Sequence, residues 1–267
     1  MTFFICHDTK VGEPDKECLP IGMFVHVPKC GGSATQQALA GAGLRLVRPF
    51  SSMNHHRSLS ESLTYICRLP VRDSQADSFF VIIPWRRPVE WRLSIFNYAV
   101  RQSPDISFMP FENHLFSGIL FEEYIEMLLC KAEKGVGSGS LLSRSELAWH
   151  PLWSWMTVTC KQLSVLPQNT DIFFINSSYN VFDSCKSILD SLGIKTLSSS
   201  GSSAIATESR INQFSTPREH ADTLSSLSRR MTRDLTVFDM GRLIDRLSLS
   251  GPIAHYNAVD LVGLMDF

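Results

Sequence analysis

The chain has 267 residues, of which 44% are apolar and 19% are charged, fractions typical of a globular protein with one large core. The formal net charge of -1 disfavours a generally basic nucleic-acid binder, so any anion site must be local. Seven scattered cysteines show no CxxC or Cys/His ligand spacing, which fits a reduced compartment and predicts no metal site.

We expect no targeting signal in this sequence. The apolar run in MTFFICHDTK is too short for a secretory signal peptide, and His7 and Asp8 follow it. The chain contains no run of about 18 apolar residues, so it predicts no membrane-spanning helix. We therefore expect a soluble, cytoplasmic protein without a nucleic-acid partner.

The elements alternate between buried strands and helices. Ile21 to Val27 is a continuous apolar run that predicts a strand, and the turn after it leads into a helix over Ser33 to Ala42 with Ser33 as its expected cap. Further strands are predicted at residues 44–47, 79–83 and 172–175. Further helices are predicted at residues 59–69, 88–101, 121–130 and 179–192, and within 218–247.

This alternation predicts an α/β fold with a central parallel β-sheet flanked by helices on both sides. We expect a single domain over residues 1–267. Gly/Ser-rich composition predicts flexible loops near residues 131–146 and 196–209.

The segment FVHVPKCGGSAT, residues 24–35, ends a predicted strand with a lysine and two glycines before a helix. Such a turn points backbone N–H groups into one concavity at a helix N-terminus, where phosphate or sulfate binds well. A Walker A loop needs its lysine directly after the last glycine. Here Lys29 precedes Gly31 and Gly32, so the order disfavours an ATP loop. A plain tight turn with a surface lysine is the alternative.

This order resembles the phosphosulfate-binding loop of the sulfotransferases, which reads approximately HIPKTGGTS in the carbohydrate-type and related families. The matching residues are His26, Pro28, Lys29, Gly31 and Gly32. Cys30, Ser33 and Ala34 depart from the pattern, and Ala34 lacks the hydroxyl of the family's serine, which Thr35 is a candidate to replace.

A second segment, VIIPWRRPVEWRLSIFNY over residues 81–98, carries the same resemblance. It is similar to the family pattern RDPxxRxxSxY, whose first arginine and serine hold the 3′-phosphate of 3′-phosphoadenosine 5′-phosphosulfate (PAPS). Arg86, Pro88 and Ser94 are in register, whereas Arg87 and Trp91 replace the family's aspartate and inner arginine. For the arginines of this segment, a solvated helix face is the alternative interpretation.

The resemblance implies a P-loop NTPase-like sulfotransferase architecture and transfer of a sulfuryl group from PAPS to a hydroxyl, with an amine as second choice. The acceptor would be a small molecule or a saccharide, the product adenosine 3′,5′-bisphosphate, and no metal is needed. Lys29 would neutralise the departing 5′-phosphate. The implied cofactor-binding residues are Lys29, Cys30, Gly31, Gly32, Ser33, Ala34, Thr35, Arg86 and Ser94.

The acceptor needs a base, and histidine suits this role because its ordinary pKa of about 6.5 lies near neutral pH. We expect His56, with His55 as the second choice, although the pair could instead cap the following helix. His150 and Trp153 are candidates for the acceptor pocket, and a turn or core role is the alternative for each. Two further readings stay open: an ATP-dependent kinase, and an inactive sulfotransferase-like binding module.

Overall fold

A computed structural model describes the chain in ranges that are separated by gaps. The described residues are 2–5, 22–42, 44–47, 58–66, 79–101, 119–133, 150–167, 169–194, 223–224, 227–241, 243, 247 and 249–265. The predicted loop at 196–209 and residues 134–146 of the other predicted loop lie outside these ranges.

The chain divides into two compact units, each assembled from separate stretches of sequence. The first, which we call the sheet unit, comprises residues 1–85, 155–209 and 245–267. The second, the helical unit, comprises residues 86–154 and 210–244. The expectation of one domain over residues 1–267 stays a prediction.

Six strands of the sheet unit form one sheet. They are β1 (Thr2–Ile5), β2 (Gly22–Phe24), β3 (Arg45–Val47), β4 (Phe80–Trp85), β5 (Asp171–Asn176) and β6 (Ile253–Asn257), in the spatial order β3-β1-β2-β4-β5-β6. The inner strands β2, β4 and β5 are parallel, whereas β1 and β6 pair antiparallel with their neighbours. The α/β class is therefore confirmed, but the sheet is mixed rather than parallel throughout.

The inner strands are buried on both faces because helices or loops cover each side. Alternating residues such as Phe24, Ile82 and Ile175 join one apolar cluster with helix residues from the same face. Residues of the opposite alternation, among them Val81 and Phe174, are also fully buried. This explains why the sequence shows continuous apolar runs instead of polar alternation.

Five helices of the described residues belong to the sheet unit. They are α1 (Gly32–Gly41), α2 (Leu59–Ile66), α5 (Cys160–Leu163), α6 (Val181–Ser191) and α8 (Ala258–Met265). Helix α1 packs against α6, and both contribute to the apolar cluster on one face of the sheet. Ala34, Ala38 and Ala42 lie four residues apart along α1 and pack on this cluster, which places the N-terminus of α1 beside the sheet edge.

The helical unit contains α3 (Pro88–Arg101), α4 (Phe121–Glu133), α7 (Arg229–Met240) and a short 3₁₀ turn that begins at Leu152. Helix α7 packs against both α3 and α4. Pro88 begins α3 as predicted, since proline fits the first helical turn. None of the helices within the described ranges is long and apolar enough to span a membrane.

Besides the 3₁₀ turn, four of the described elements were not predicted from the sequence: β1, α5, β6 and α8. β1 is only four residues long, and β6 and α8 follow one another directly at the end of the chain. Helix α4 also continues to Glu133, into the segment predicted as a flexible loop. Because β1 and β6 are held by pairing with strands distant in sequence, local patterns identify them poorly.

Candidate functional site

The loop between β2 and α1 leaves the sheet at the carboxyl edge shared by the parallel strands. The Val25 N–H still donates to the Ile82 carbonyl of β4 at 2.9 Å. The Val27 N–H donates to the Val25 carbonyl at 3.1 Å, so the chain has left the sheet at this point. The Cys30 N–H donates to the Val27 carbonyl at 3.3 Å, which closes the turn around Lys29. Ligands of open α/β sheets bind at this edge.

Lys29 itself adopts a left-handed backbone conformation with a φ of 60°. This conformation costs a residue with a Cβ roughly 1–2 kcal/mol, so the surrounding turn must hold it there. Such positions cluster at ligand-binding loops. The side chain is half-buried, which restricts the directions in which its ammonium group extends.

The N-terminus of α1 is uncapped by side chains. Its N-cap is Gly31, in the left-handed conformation with a φ of 73°, and no side chain caps it. The first N–H groups of the helix therefore have no side-chain acceptor at the N-cap, and the first turn of the helix carries no acidic residue. The expectation that Ser33 caps this helix is wrong, because Ser33 lies inside its first turn and is exposed.

Gly32 is required by the close approach of a buried histidine. A Cβ at Gly32 would lie 2.0 Å from Nε2 of His26, a distance that no side chain tolerates. His26 is 7% exposed and its ring lies 5.6 Å from that of Phe24. The imidazole thus packs behind the loop, as expected for a core histidine.

The other predicted loop residues have distinct environments. The Cys30 side chain is fully buried, and Ala34 packs on the apolar cluster. Thr35 is fully buried, and both its N–H and its hydroxyl donate to the Gly31 carbonyl, at 2.9 and 3.1 Å. An anion would have to displace one of these bonds to contact Thr35, so the donors it could reach without doing so are backbone N–H groups in the first turn of α1.

A residue that the sequence did not single out, Ser177, lies against this loop. It follows β5 and its N–H donates to the Trp85 carbonyl at 2.8 Å. A Cβ at Gly31 would lie 3.0 Å from the Cβ of Ser177. The turn after β5 therefore forms one wall beside the α1 N-terminus, and no local motif in NSSYN indicates this contact.

Arg86 and Ser94 belong to the helical unit. Arg86 stands two residues before Pro88, the first residue of α3, as predicted. It is half-buried, and its Nε has no hydrogen-bond partner among the described residues. Ser94 lies in α3 and is also half-buried. Arg87, by contrast, is exposed and forms an ion pair with Glu90 at 3.9 Å, so the solvated-face interpretation applies to it.

Arg92, which the sequence assigned to no site, is fully buried in the helical unit. Its Nε donates to both carboxylate oxygens of Asp239, at 2.9 and 3.1 Å, and Nη2 also contacts Oδ1. Nη1 donates to the Tyr124 hydroxyl at 3.1 Å, and Nη2 donates to the His150 carbonyl at 2.6 Å. This network links α3, α4, α7 and the segment before the 3₁₀ turn.

The charges of this pair are set by opposing effects. Burial alone would lower the pKa of Arg92, but Asp239 and Tyr124 raise it above its ordinary value. Burial raises the pKa of Asp239, and Arg92 together with the Leu152 N–H acts in the opposite direction. The Leu152 N–H donates to Oδ1 at 3.3 Å. Arg92 is therefore a structural cation and not an anion receptor.

The predicted acceptor-side residues sit in this same segment. His150 is 8% exposed, and its carbonyl accepts a hydrogen bond from Arg92. This fits the alternative interpretation, in which His150 belongs to a turn and not to the acceptor pocket. Trp153 is 37% exposed, and a Cβ at Gly241 would lie 3.4 Å from its Cδ1. Only Trp153 of the two presents a substantial surface to solvent.

The two candidates for the catalytic base, His55 and His56, lie outside the described residues. The helix that follows begins with a capping box: the Glu61 N–H donates to Oγ of Ser58 at 3.2 Å, and the Ser58 N–H donates to Oε2 of Glu61 at 2.9 Å. Ser58 is therefore the N-cap of α2, the position that the alternative interpretation gave to the histidines.

No group of three or more His, Cys, Asp or Glu side chains within the described ranges is arranged to hold a metal ion. Comparisons of the chain with protein-family models, with curated proteins and with solved structures find no match. The geometry of the β2–α1 loop and the motifs in the sequence are therefore what points to a function.

Proposed function

We propose that this protein is a PAPS-dependent sulfotransferase. The observation that carries the proposal is the β2–α1 loop, where Lys29 precedes an uncapped helix N-terminus at the carboxyl edge of the parallel strands. Uncapped N–H groups and the helix dipole favour an anion there. The lysine-first order favours a 5′-phosphosulfate over the β- and γ-phosphates of ATP.

The chemistry is an in-line substitution at sulfur. The bond between sulfur and the bridging oxygen of the 5′-phosphate breaks while the acceptor oxygen forms a bond to the same sulfur. Lys29 stabilises the negative charge that develops on the departing phosphate. The acceptor proton passes to a base, for which we propose His56, with His55 as second choice.

The second motif supports a ligand with a phosphate at the 3′ position. Arg86 is always cationic, and its Nε is buried without a hydrogen-bond partner among the described residues. A buried donor left unpaired costs about 1–3 kcal/mol, so a phosphate oxygen would relieve this penalty. Ser94 would add a neutral hydroxyl, in the register that the sulfotransferase motif requires.

The acceptor is proposed to be the hydroxyl of a small molecule or saccharide, with an amine as second choice. Trp153 offers an exposed aromatic surface of the kind on which sugar or aromatic rings pack. His150 is buried, at 8% exposed, and stays the weaker candidate of the two.

Two other functions are alternatives, and each would require different ligand binding or turnover. An ATP-dependent kinase would require Mg²⁺ and a lysine after the glycines, an order that this loop lacks. A binding module without turnover is the other, motivated by the departures at Ala34, Arg87 and Trp91. Binding of the nucleotide without any sulfuryl transfer would favour the module.

The proposal is tested by thermal unfolding of the protein with adenosine 3′,5′-bisphosphate or with ATP and Mg²⁺. We expect the bisphosphate to raise the Tm and ATP to do so much less, because binding to the folded state stabilises it. The shift should vanish in Arg86→Ala and persist in Arg87→Ala, whose side chain is exposed. Equal stabilisation by ATP, or a shift retained in Arg86→Ala, would overturn the proposal.

A further inference from the structure

Ser177 has a buried hydroxyl that the fold leaves unsatisfied. The residue is 9% exposed, and its Oγ has no hydrogen-bond partner among the described residues. A buried hydroxyl without a partner costs about 1–3 kcal/mol. Its backbone is fixed, since the N–H donates to the Trp85 carbonyl at 2.8 Å. The hydroxyl therefore lies buried without a partner, at a cost in stability.

The hydroxyl faces the uncapped start of α1. A Cβ built on Gly31 would lie 3.6 Å from Oγ of Ser177, so the hydroxyl occupies the side of Gly31 that a side chain would fill. Gly31 is the N-cap of a ten-residue helix. Two sets of unsatisfied donors, the hydroxyl and the first N–H groups of α1, are thus neighbours in the sheet unit.

The described groups around Ser177 do not supply an acceptor for both sets. Among its chain neighbours, the Asn176 side-chain oxygen already accepts from the Ser178 N–H at 3.0 Å. The Thr35 hydroxyl donates to the Gly31 carbonyl, and the first turn of α1 carries no acidic side chain. A tetrahedral oxyanion presents several acceptor oxygens at once and would satisfy the hydroxyl together with the N–H groups.

We propose that Ser177 is an anion-binding residue whose hydroxyl donates to a phosphate or sulfate oxygen held at the N-terminus of α1. The inference rests on the proposed function for the identity of the ligand, a 5′-phosphosulfate. Within this site Ser177 supplies, from the turn after β5, a hydroxyl in place of the one that the family's serine would supply at the position of Ala34, whose methyl group packs on the apolar cluster.

The test compares Ser177→Ala with Ser184→Ala. Ser184 is a second buried serine of the sheet unit, but its hydroxyl donates to the Asn180 carbonyl at 3.0 Å. The probe is inorganic pyrophosphate, measured by isothermal titration calorimetry. Ser177→Ala should bind it about tenfold more weakly, the size expected for one hydrogen bond to a charged acceptor, and Ser184→Ala should bind it like the wild type.

Stability without ligand is the second readout. Ser177→Ala removes an unsatisfied buried hydroxyl, so its Tm should equal or exceed that of the wild type. Ser184→Ala removes a satisfied one and should lower the Tm. Unchanged pyrophosphate affinity in Ser177→Ala, or a Tm reduced as much as in Ser184→Ala, overturns the inference.

The inference and the proposed function fail in different ways. Ser177-dependent binding of pyrophosphate without a preference for adenosine 3′,5′-bisphosphate over ATP would keep the serine in the anion site and remove the sulfotransferase. A preference for the bisphosphate with unchanged affinity in Ser177→Ala would keep the sulfotransferase and remove the serine. Failure of the wild type to bind pyrophosphate would overturn the anion site itself.

Discussion

The residues of the β2–α1 loop are fixed by backbone geometry as much as by side-chain chemistry. Gly32 is required because His26 lies where a Cβ would be, and Gly31 because its φ is 73°. The order of the residues predicts that Gly31 and Gly32 form a tight turn. It does not predict that the approach of His26 is the reason why position 32 must be glycine. A contact between residues six apart depends on how the loop folds back.

Lys29 is the residue whose charge the proposed mechanism needs, and its backbone conformation complicates a simple test. Lys29→Ala removes the ammonium but keeps a Cβ at a φ of 60°, whereas Lys29→Gly also removes the strain. We expect both variants to fold and both to lose sulfuryl transfer by at least about a hundredfold, the scale of one transition-state contact. Turnover of PAPS and circular dichroism measure the two properties.

Retained turnover in Lys29→Gly would exclude the lysine from the mechanism. Loss of the fold in Lys29→Ala but not in Lys29→Gly would instead identify backbone strain as the cause of any lost activity, which is why both variants are compared.

At the scale of elements, the inner strands and most helices could be predicted because their signals are local. β4 and β5 are continuous apolar runs, and α3 starts at a proline. The antiparallel strands β1 and β6 were missed because their pairing partners are distant in sequence. Arg92 was assigned to no site, since a fully buried arginine in a helix depends on an aspartate 147 residues away.

The network of Arg92 gives a stability prediction for the helical unit. Asp239→Ala leaves a fully buried cation without its partner and should lower the free energy of unfolding by about 3–5 kcal/mol. Arg230→Ala, whose side chain is exposed beside Asp234, is the control and should change it by less than about 1 kcal/mol. Chemical denaturation monitored by fluorescence measures both.

A double variant separates lost charge pairing from lost packing. Arg92→Met with Asp239→Leu replaces the buried pair by apolar side chains and should recover most of the stability lost in Asp239→Ala. A small effect of Asp239→Ala, within the range of the Arg230→Ala control, would contradict the assignment of Arg92 as a structural cation.

At the scale of the whole molecule, the two proposed phosphate contacts come from different units of the chain. The β2–α1 loop with Ser177 belongs to the sheet unit, and Arg86 with Ser94 belongs to the helical unit. Each motif alone has a purely structural explanation: a tight turn for the first and a solvated helix face for the second. A nucleotide with phosphates at both the 5′ and the 3′ positions stays our proposal, because the sulfotransferase resemblance covers both motifs.

The most direct test compares the dissociation constants of adenosine 3′,5′-bisphosphate and adenosine 5′-monophosphate by calorimetry, in the wild type and in Arg86→Ala. The ligands differ only in the 3′-phosphate. We predict that the bisphosphate binds at least about tenfold more tightly to the wild type, as expected for a charge-assisted contact, and that the difference disappears in Arg86→Ala. Equal affinities in the wild type, or a difference that survives in Arg86→Ala, would contradict a PAPS site.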